Sequence, residues 1–202
     1  MHVPPARVAL VGPESSGKTT LARLLAGHYG GGWVEEYVRE YMERRDVGRG
    51  HARPFAEDDI EAIGRGQAAA EDRAANDAGA LLFCDTELLT TEIWGEIYFG
   101  AAPEWVRRES LRRRYSLYLL LAPDIPWHDD GTREFPHLRA DHFARLRAEL
   151  DARALPYVVV GGDHRARLQA AIAAVDWVVG RPCRGEAADD GTLHRTGASA
   201  TS

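Results

Sequence analysis

The chain has 202 residues, of which 45% are apolar and 28% charged, and its net charge is −6. That balance reads as one globular domain with room for a good core. It argues against general nucleic-acid or membrane-surface binding, which call for a basic excess. The start, residues 1–6, has no signal-peptide apolar region, and no apolar run approaches the roughly 18 residues of a membrane span, so a cytoplasmic protein is expected. Cys84 and Cys183 make neither a metal spacing nor a disulfide framework. Homo-oligomerisation is left open.

Arg7 to Val11 is short, apolar and β-branched, the pattern of a buried strand. Gly12-Pro13-Glu14-Ser15-Ser16-Gly17-Lys18-Thr19 follows and fits G-x-x-x-x-G-K-[ST], the phosphate-binding loop; Thr20 to Ala26 then has apolar residues at helical spacing. Strand, glycine loop and helix are the context that motif requires. Gly12 and Gly17 permit backbone angles that a Cβ forbids, so the N–H groups of Glu14, Ser15, Ser16, Gly17 and Thr20 can converge on an anion at a helix N-terminus. Lys18 can reach the β- and γ-phosphates of ATP, and the Thr19 hydroxyl can ligate Mg²⁺. Lys18 is the only lysine among 25 basic side chains. In a chain that otherwise uses arginine throughout, the compact ammonium reads as required there.

Gly30 to Gly32 makes a loop and Trp33 to Glu35 a short second strand. Glu36, Tyr37 and Arg39 follow at its carboxyl end, where ligands bind in an open α/β sheet, and are candidates for the acceptor substrate. A charged helix face with i,i+3 and i,i+4 pairs is the bland alternative. Residues 46–56 are loop-like, with His51 solvated. Glu57 to Asn76 is helical, with Ile60, Ile63, Gln67 and Ala70 on one stripe. Gln67 either bonds a neighbouring backbone or faces the substrate.

Ala80 to Asp85 is the third strand. Four apolar residues ending in Asp85 fit a Walker B pattern, in which the carboxylate holds Mg²⁺ or takes a proton from the attacking hydroxyl; a helix N-cap is the alternative. Cys84 reads as a buried thiol. Leu88 to Phe99 is helical, and its cluster of Trp94, Tyr98 and Phe99 is assigned to core in preference to base stacking. Pro103 opens another helix, whose basic run from Arg107 to Arg114 is read as a solvated face. Tyr115 to Ala122 is the fourth strand.

Pro123 to Arg139 follows a strand end and is too polar for core. It reads as a lid, about residues 123–140, carrying Trp127, Arg133 and Arg139. Closed over the phosphates, such a segment excludes water and stabilises transferring charge, and an arginine there can be worth about 10³–10⁵ in rate. His128, Asp129 and Asp130 lack a fixed ligand spacing and are rejected as a metal site. Asp141 is expected to cap a helix from Phe143 to Ala152. Pro156 to Val160 is the fifth strand, and the exit loop Gly161-Gly162-Asp163 is placed near adenine. Arg165 to Val175 is the last helix and Asp176 to Val179 a short closing segment. Residues 1–183 are taken as the folded domain and 184–202 as a disordered tail.

Four segments together resemble one family: Gly12 to Leu21, Glu36 to Tyr41, Phe83 to Thr86, and Pro126 to Arg133. Their order is similar to the ribosylnicotinamide kinase domain of the NadR family, within a wider group of AAA-labelled, kinase-like ATPases, over about residues 6–180. The resemblance implies a P-loop three-layer α/β sandwich with five parallel strands, as in nucleoside and nucleotide kinases. It implies ATP-dependent phosphorylation of the 5′-hydroxyl of nicotinamide riboside, giving nicotinamide mononucleotide. Glu36, Tyr37 and Arg39 would lie near the riboside, Asp85 at the reacting hydroxyl or metal, and Arg133 and Arg139 in the lid. NadR proteins also carry an adenylyltransferase domain ahead of the kinase; with nothing before residue 6 here, that activity is expected to be missing. The residues themselves leave room for a kinase of another nucleoside or small metabolite, and for a regulatory ATPase without a small acceptor.

Overall fold

The structure, a computed structural model, describes residues 4–46, 55–127 and 136–180. Arg133, His51, His128, Asp129, Asp130, Cys183 and the 184–202 segment lie outside these residues. The elements in chain order are β1 (Ala6–Val11), α1 (Lys18–Tyr29), β2 (Gly32–Val34), α2 (Tyr37–Asp46), α3 (Glu57–Ala74), β3 (Leu81–Asp85), α4 (Leu88–Phe99), α5 (Glu104–Arg112), β4 (Leu117–Leu121), a 3₁₀ turn (Pro136–Leu138), α6 (Arg139–Ala152), β5 (Tyr157–Val160) and α7 (His164–Val179).

The five strands form one parallel sheet in the order β2-β3-β1-β4-β5. From β1 to β2 the chain steps one way across the sheet; from β2 through β3 and β4 to β5 it steps the other way. Right-handed crossovers therefore put α1 on one face and the helices that follow on the opposite face, with α7 returning to the side of α1. The core divides accordingly. Val8 and Leu10 of β1 pack with Leu21 and Leu25 of α1 and Ala171 and Val175 of α7. The alternate residues Ala9 and Val11 pack with Leu89 and Ile93 of α4 and Leu146 and Leu150 of α6. Cover on both faces is why Val8 to Val11 of β1, Leu81 to Cys84 of β3 and all of β4 are apolar runs. The Cys84 thiol is fully buried, as its position in β3 implied.

Three local expectations are corrected. Asp141 is not a cap: α6 begins at Arg139 behind Leu138, and Asp141 lies in its first turn, where a carboxylate still favours the helix dipole. Asp176 to Val179 is no separate segment but the end of α7, which Asp163 starts by accepting a hydrogen bond from Ala166 N at 2.8 Å. In the basic run, Arg107, Arg108, Arg112 and Arg114 are exposed, but Arg113 turns inward at the end of α5. There it pairs with Glu71, Asp72 and Glu109 at 3.3, 2.6 and 3.2 Å.

Candidate functional site

The phosphate loop joins β1 to α1 at the carboxyl edge of the sheet. Its conformation explains its residues. Gly12 has φ +151°, and a Cβ there would meet Leu121 O at 2.8 Å. Gly17 is left-handed at φ 86° and is the residue before α1. Ser15 is left-handed as well, at φ 57°, although it carries a side chain. Backbone strain of this kind costs on the order of 1–3 kcal/mol and persists where the surroundings impose it, as at ligand clamps. Lys18 Nζ lies over the loop and donates to the carbonyls of Gly12 and Pro13 at 3.0 and 3.1 Å. The Ser16 hydroxyl is buried with no hydrogen-bond partner among the described residues.

The loop is clamped from outside by an arginine that the sequence reading passed over. Arg167, in the first turn of α7, is 3% exposed. Its guanidinium donates to Ser16 O and Ala122 O at 3.0 Å and to Gly162 O at 2.7 Å, and also to the Asp124 carboxylate. One side chain so ties the loop to the ends of β4 and β5. The exit loop at Gly161 and Gly162, assigned to adenine, serves this clamp.

Asp85 ends β3 beside the loop and is fully buried. Thr19 Oγ1 donates to Asp85 Oδ2 at 2.5 Å, which joins the two oxygens assigned to Mg²⁺. Asp85 Oδ1 has no hydrogen-bond partner among the described residues. Burial, with the Glu36 carboxylate nearby, raises its pKa to about 6 against the pull of Lys18, Thr19 and Arg39. A buried carboxylate with a spare oxygen next to a hydroxyl is a fitting donor set for a hard cation. Among the described residues no group of three or more His, Cys, Asp or Glu side chains is placed to hold a metal ion by itself. That suits Mg²⁺, which takes few protein ligands and completes its shell with phosphates and water. Asp85 is not the cap of α4. Glu87 is, accepting from Leu89 N and Thr90 N at 2.6 and 3.0 Å, and burial lifts its pKa to about 7.

From the loop a cavity of about 430 Å³ runs between α2, α3, α4 and α6. Gly12, Glu14, Ser15, Ser16, Gly17, Lys18, Thr19 and Thr20 line its mouth, and Glu36, Arg39 and Gln67 line its wall. Glu36 and Arg39 also form the i,i+3 pair of the bland reading, at 3.6 Å, from their place on the cavity wall. Glu36 further accepts from Thr86 Oγ1 at 3.3 Å. Gln67 takes the backbone-bonded alternative from a place on the cavity wall, accepting from Tyr37 N at 2.9 Å and donating to Thr86 O at 3.3 Å. Beneath it the fully buried Glu71 accepts from Gln67 Nε2 at 3.4 Å and from Tyr115 OH at 2.9 Å, and pairs with Arg113 and Arg7. Ion pairs and hydrogen bonds thus hold a buried charge and, through it, the Gln67 amide.

The far end of the cavity is apolar and aromatic. Phe55, Trp94 and Tyr98 line it with Ile60 and Ile63. The aromatic cluster of α4 is therefore not core: Trp94 and Tyr98 turn toward the cavity rather than the sheet, and Tyr98 and Phe99 are 40% and 38% exposed. His142 lies in the same wall, edge-on to Trp94 with ring centroids 4.5 Å apart.

Not every expected residue faces the cavity. The Tyr37 ring packs on Gly66, where a Cβ would lie 1.8 Å from Cε1; its contribution is the N–H bonded by Gln67. Trp127 lies 5.8 Å from the Arg139 guanidinium, away from the cavity wall. Arg139 donates to Ile125 O at 3.0 Å and to Ser15 O at 3.4 Å, against the phosphate loop.

A model of the AAA domain family matches residues 7–167. The chain belongs to that family. This AAA domain is 33% identical over 126 residues to the trifunctional NAD biosynthesis/regulator protein NadR of Salmonella typhimurium, and equally to that of Escherichia coli. The match covers 62% of this chain and 30% of each relative, so the chain spans less than a third of their length. A solved NadR protein in complex with NR superimposes with a TM-score of 0.74 at 27% identity, covering 88% of this chain and 52% of that one. A NadR protein in complex with NAD and AMP-PNP gives 0.69 at 26% identity, covering 91% and 52%. A deoxyadenosine kinase from M. mycoides shares the fold at 11% identity, with a TM-score of 0.53 over 85% of this chain and 99% of that one. The expected P-loop sandwich with a five-stranded parallel sheet is the architecture found. Among the described residues, no helix is long and apolar enough to cross a membrane.

Proposed function

We propose that this AAA domain is a cytoplasmic ATP-dependent kinase that transfers the γ-phosphoryl group to the 5′-hydroxyl of nicotinamide riboside. The observation that carries the reading is the union of a phosphate loop with a half-polar, half-aromatic cavity of about 430 Å³, in the size range of small-molecule sites. A cavity of this size beside the phosphate loop gives a small acceptor room, which favours a kinase over a regulatory ATPase. The resemblance to NadR proteins, one of them solved with NR, points to the riboside as the acceptor.

In this reading the loop amides and Lys18 hold the β- and γ-phosphates, and Thr19 and Asp85 hold Mg²⁺, which neutralises phosphate charge when bound. Glu36 and Gln67 orient the ribose. The acceptor 5′-oxygen forms a bond to the γ-phosphorus as the bond from that phosphorus to the β–γ bridging oxygen breaks, and ADP leaves. Glu36 takes the hydroxyl proton, because it lines the cavity whereas Asp85 does not and is assigned with Thr19 to Mg²⁺. Arg139, and Arg133 from the segment before it, neutralise the moving phosphoryl group. Positioning and electrostatics supply most of the rate, as expected for phosphoryl transfer.

The test is ADP release from MgATP with nicotinamide riboside, adenosine, uridine, thymidine or no acceptor, with Lys18→Ala as the blank. Release that requires nicotinamide riboside and disappears in the variant is expected. Release with a different nucleoside moves the substrate and keeps the mechanism; equal release without any acceptor refutes the kinase reading.

A further inference from the structure

We infer that His142 is a specificity-determining residue of this site, its imidazole hydrogen-bonding a polar substituent on the flat ring of the acceptor. The inference rests on reading the cavity as the acceptor site. His142 opens the buried stripe of α6 that continues through Leu146 and Leu150, one residue per turn. The next two positions are aliphatic and pack on the sheet. The imidazole instead reaches the cavity wall, 2% exposed, and meets Trp94 at an interplanar angle of 62°.

Neither ring nitrogen has a hydrogen-bond partner among the described residues. Other buried polar groups nearby are engaged: Gln67 with Tyr37 and Thr86, Glu87 with the start of α4. A buried polar group without a partner costs stability that an aliphatic residue of similar size would not. At a cavity wall, a ligand atom is the partner that offsets the cost. Burial, with the positive charges of Lys18 and Arg145, pushes the imidazole pKa down to about 3. At neutral pH the ring is therefore uncharged and offers one N–H donor and one lone pair. That pair matches an amide substituent, which presents a carbonyl oxygen and an N–H, and it does not repel a positively charged ring. Trp94 and Tyr98 supply the flat apolar contact beside it.

His142→Phe keeps the ring contact with Trp94 and removes both nitrogens; His142→Gln returns an amide donor and acceptor. In the ADP-release assay, His142→Phe is expected to raise KM for the acceptor about tenfold, the size of one lost hydrogen bond, with KM for ATP within twofold. His142→Gln recovers part of the loss. A merely structural role would instead move both KM values and the Tm together. Independently of turnover, the ¹⁵N signals of the His142 ring, assigned by their absence from His142→Phe, are expected to shift when nicotinamide riboside is added to the wild-type protein. An unchanged acceptor KM in His142→Phe overturns the inference. If the wild type phosphorylates no acceptor, the kinase reading fails and the imidazole signal decides alone: a shift with nicotinamide riboside upholds the contact, and a stationary signal overturns it.

Discussion

Replacing Arg167 by methionine tests whether one buried guanidinium holds the phosphate loop to the sheet. The side chain is 3% exposed and serves four acceptors. Two of them matter less. Asp124 has a side chain 43% exposed and regains water, and Gly162 is exposed. The carbonyls of Ser16 and Ala122 carry most of the cost. Hydrogen bonds to a charged group are worth about 1.5–3 kcal/mol each, and breaking a buried charged contact costs about 3–5 kcal/mol, so a loss of about 4 kcal/mol is expected. For a domain of this size that lowers Tm by about 8–16 °C. Urea unfolding followed by tryptophan fluorescence measures the first quantity, and calorimetry the second. Because Ser16 lies inside the loop, KM for ATP should rise about tenfold while the acceptor KM stays near its wild-type value. Arg167→Lys keeps the charge but lacks the fork that reaches several carbonyls, and it should recover less than half of the stability. A methionine variant within 1 kcal/mol of wild type, with unchanged KM for ATP, would refute the clamp.

Asp85→Asn should lower kcat by about 10²–10³-fold in MgATP, as loss of one preorganised electrostatic group does, while metal-free nucleotide binding measured in EDTA is retained. Gly66→Ala places a Cβ 1.8 Å from the Tyr37 ring; steady-state kinetics should show the acceptor KM raised and the ATP KM unmoved, with about 1–3 kcal/mol of overpacking cost in urea titrations. His142 binds its proton near pH 6.5 in the unfolded chain but only near pH 3 in the fold, so its contribution to stability is lost as pH falls through 6.5. Between pH 7 and 5 the loss is about 2 kcal/mol, and the stability difference between wild type and His142→Phe should shift by that amount; a difference independent of pH would sink the assignment.

The fold was legible because its signals are local. A parallel sheet covered on both faces needs apolar runs, and β1, β3 and β4 carry such runs, with Gly12 after the first and Asp85 closing the second. The phosphate loop was legible for the same reason: its strained angles demand glycine at positions 12 and 17 whatever the rest of the chain does. Helix ends were less legible. Asp141 looked like a cap, but the 3₁₀ turn ahead of it had already started the helix at Arg139. Position 113 could not be told from its arginine neighbours, since only the packing of α5 against α3 decides which guanidinium turns toward Glu71.

The cavity's far wall was missed because its residues come from three helices distant in sequence, α3 with the residue ahead of it, α4 and α6, and no spacing links Phe55, Trp94 and His142. Yet two of the overlooked residues share a local mark. His142 heads the buried stripe completed by Leu146 and Leu150; Arg167 heads the one completed by Ala171 and Val175. In both helices the first turn lies at the carboxyl edge of the sheet, beside the phosphate loop, and the later turns lie over its apolar face. A polar residue at the top of an otherwise apolar i,i+4,i+8 stripe is thus what this architecture requires where a helix passes from the ligand edge onto the core. The two differ in what satisfies them. Arg167 spends its donors on backbone carbonyls and is a fixture of the scaffold, whereas the nitrogens of His142 have no partner among the described residues. Burial without a partner, at a cavity wall, is what distinguishes a residue built to meet a ligand from one built to hold the loop that meets it.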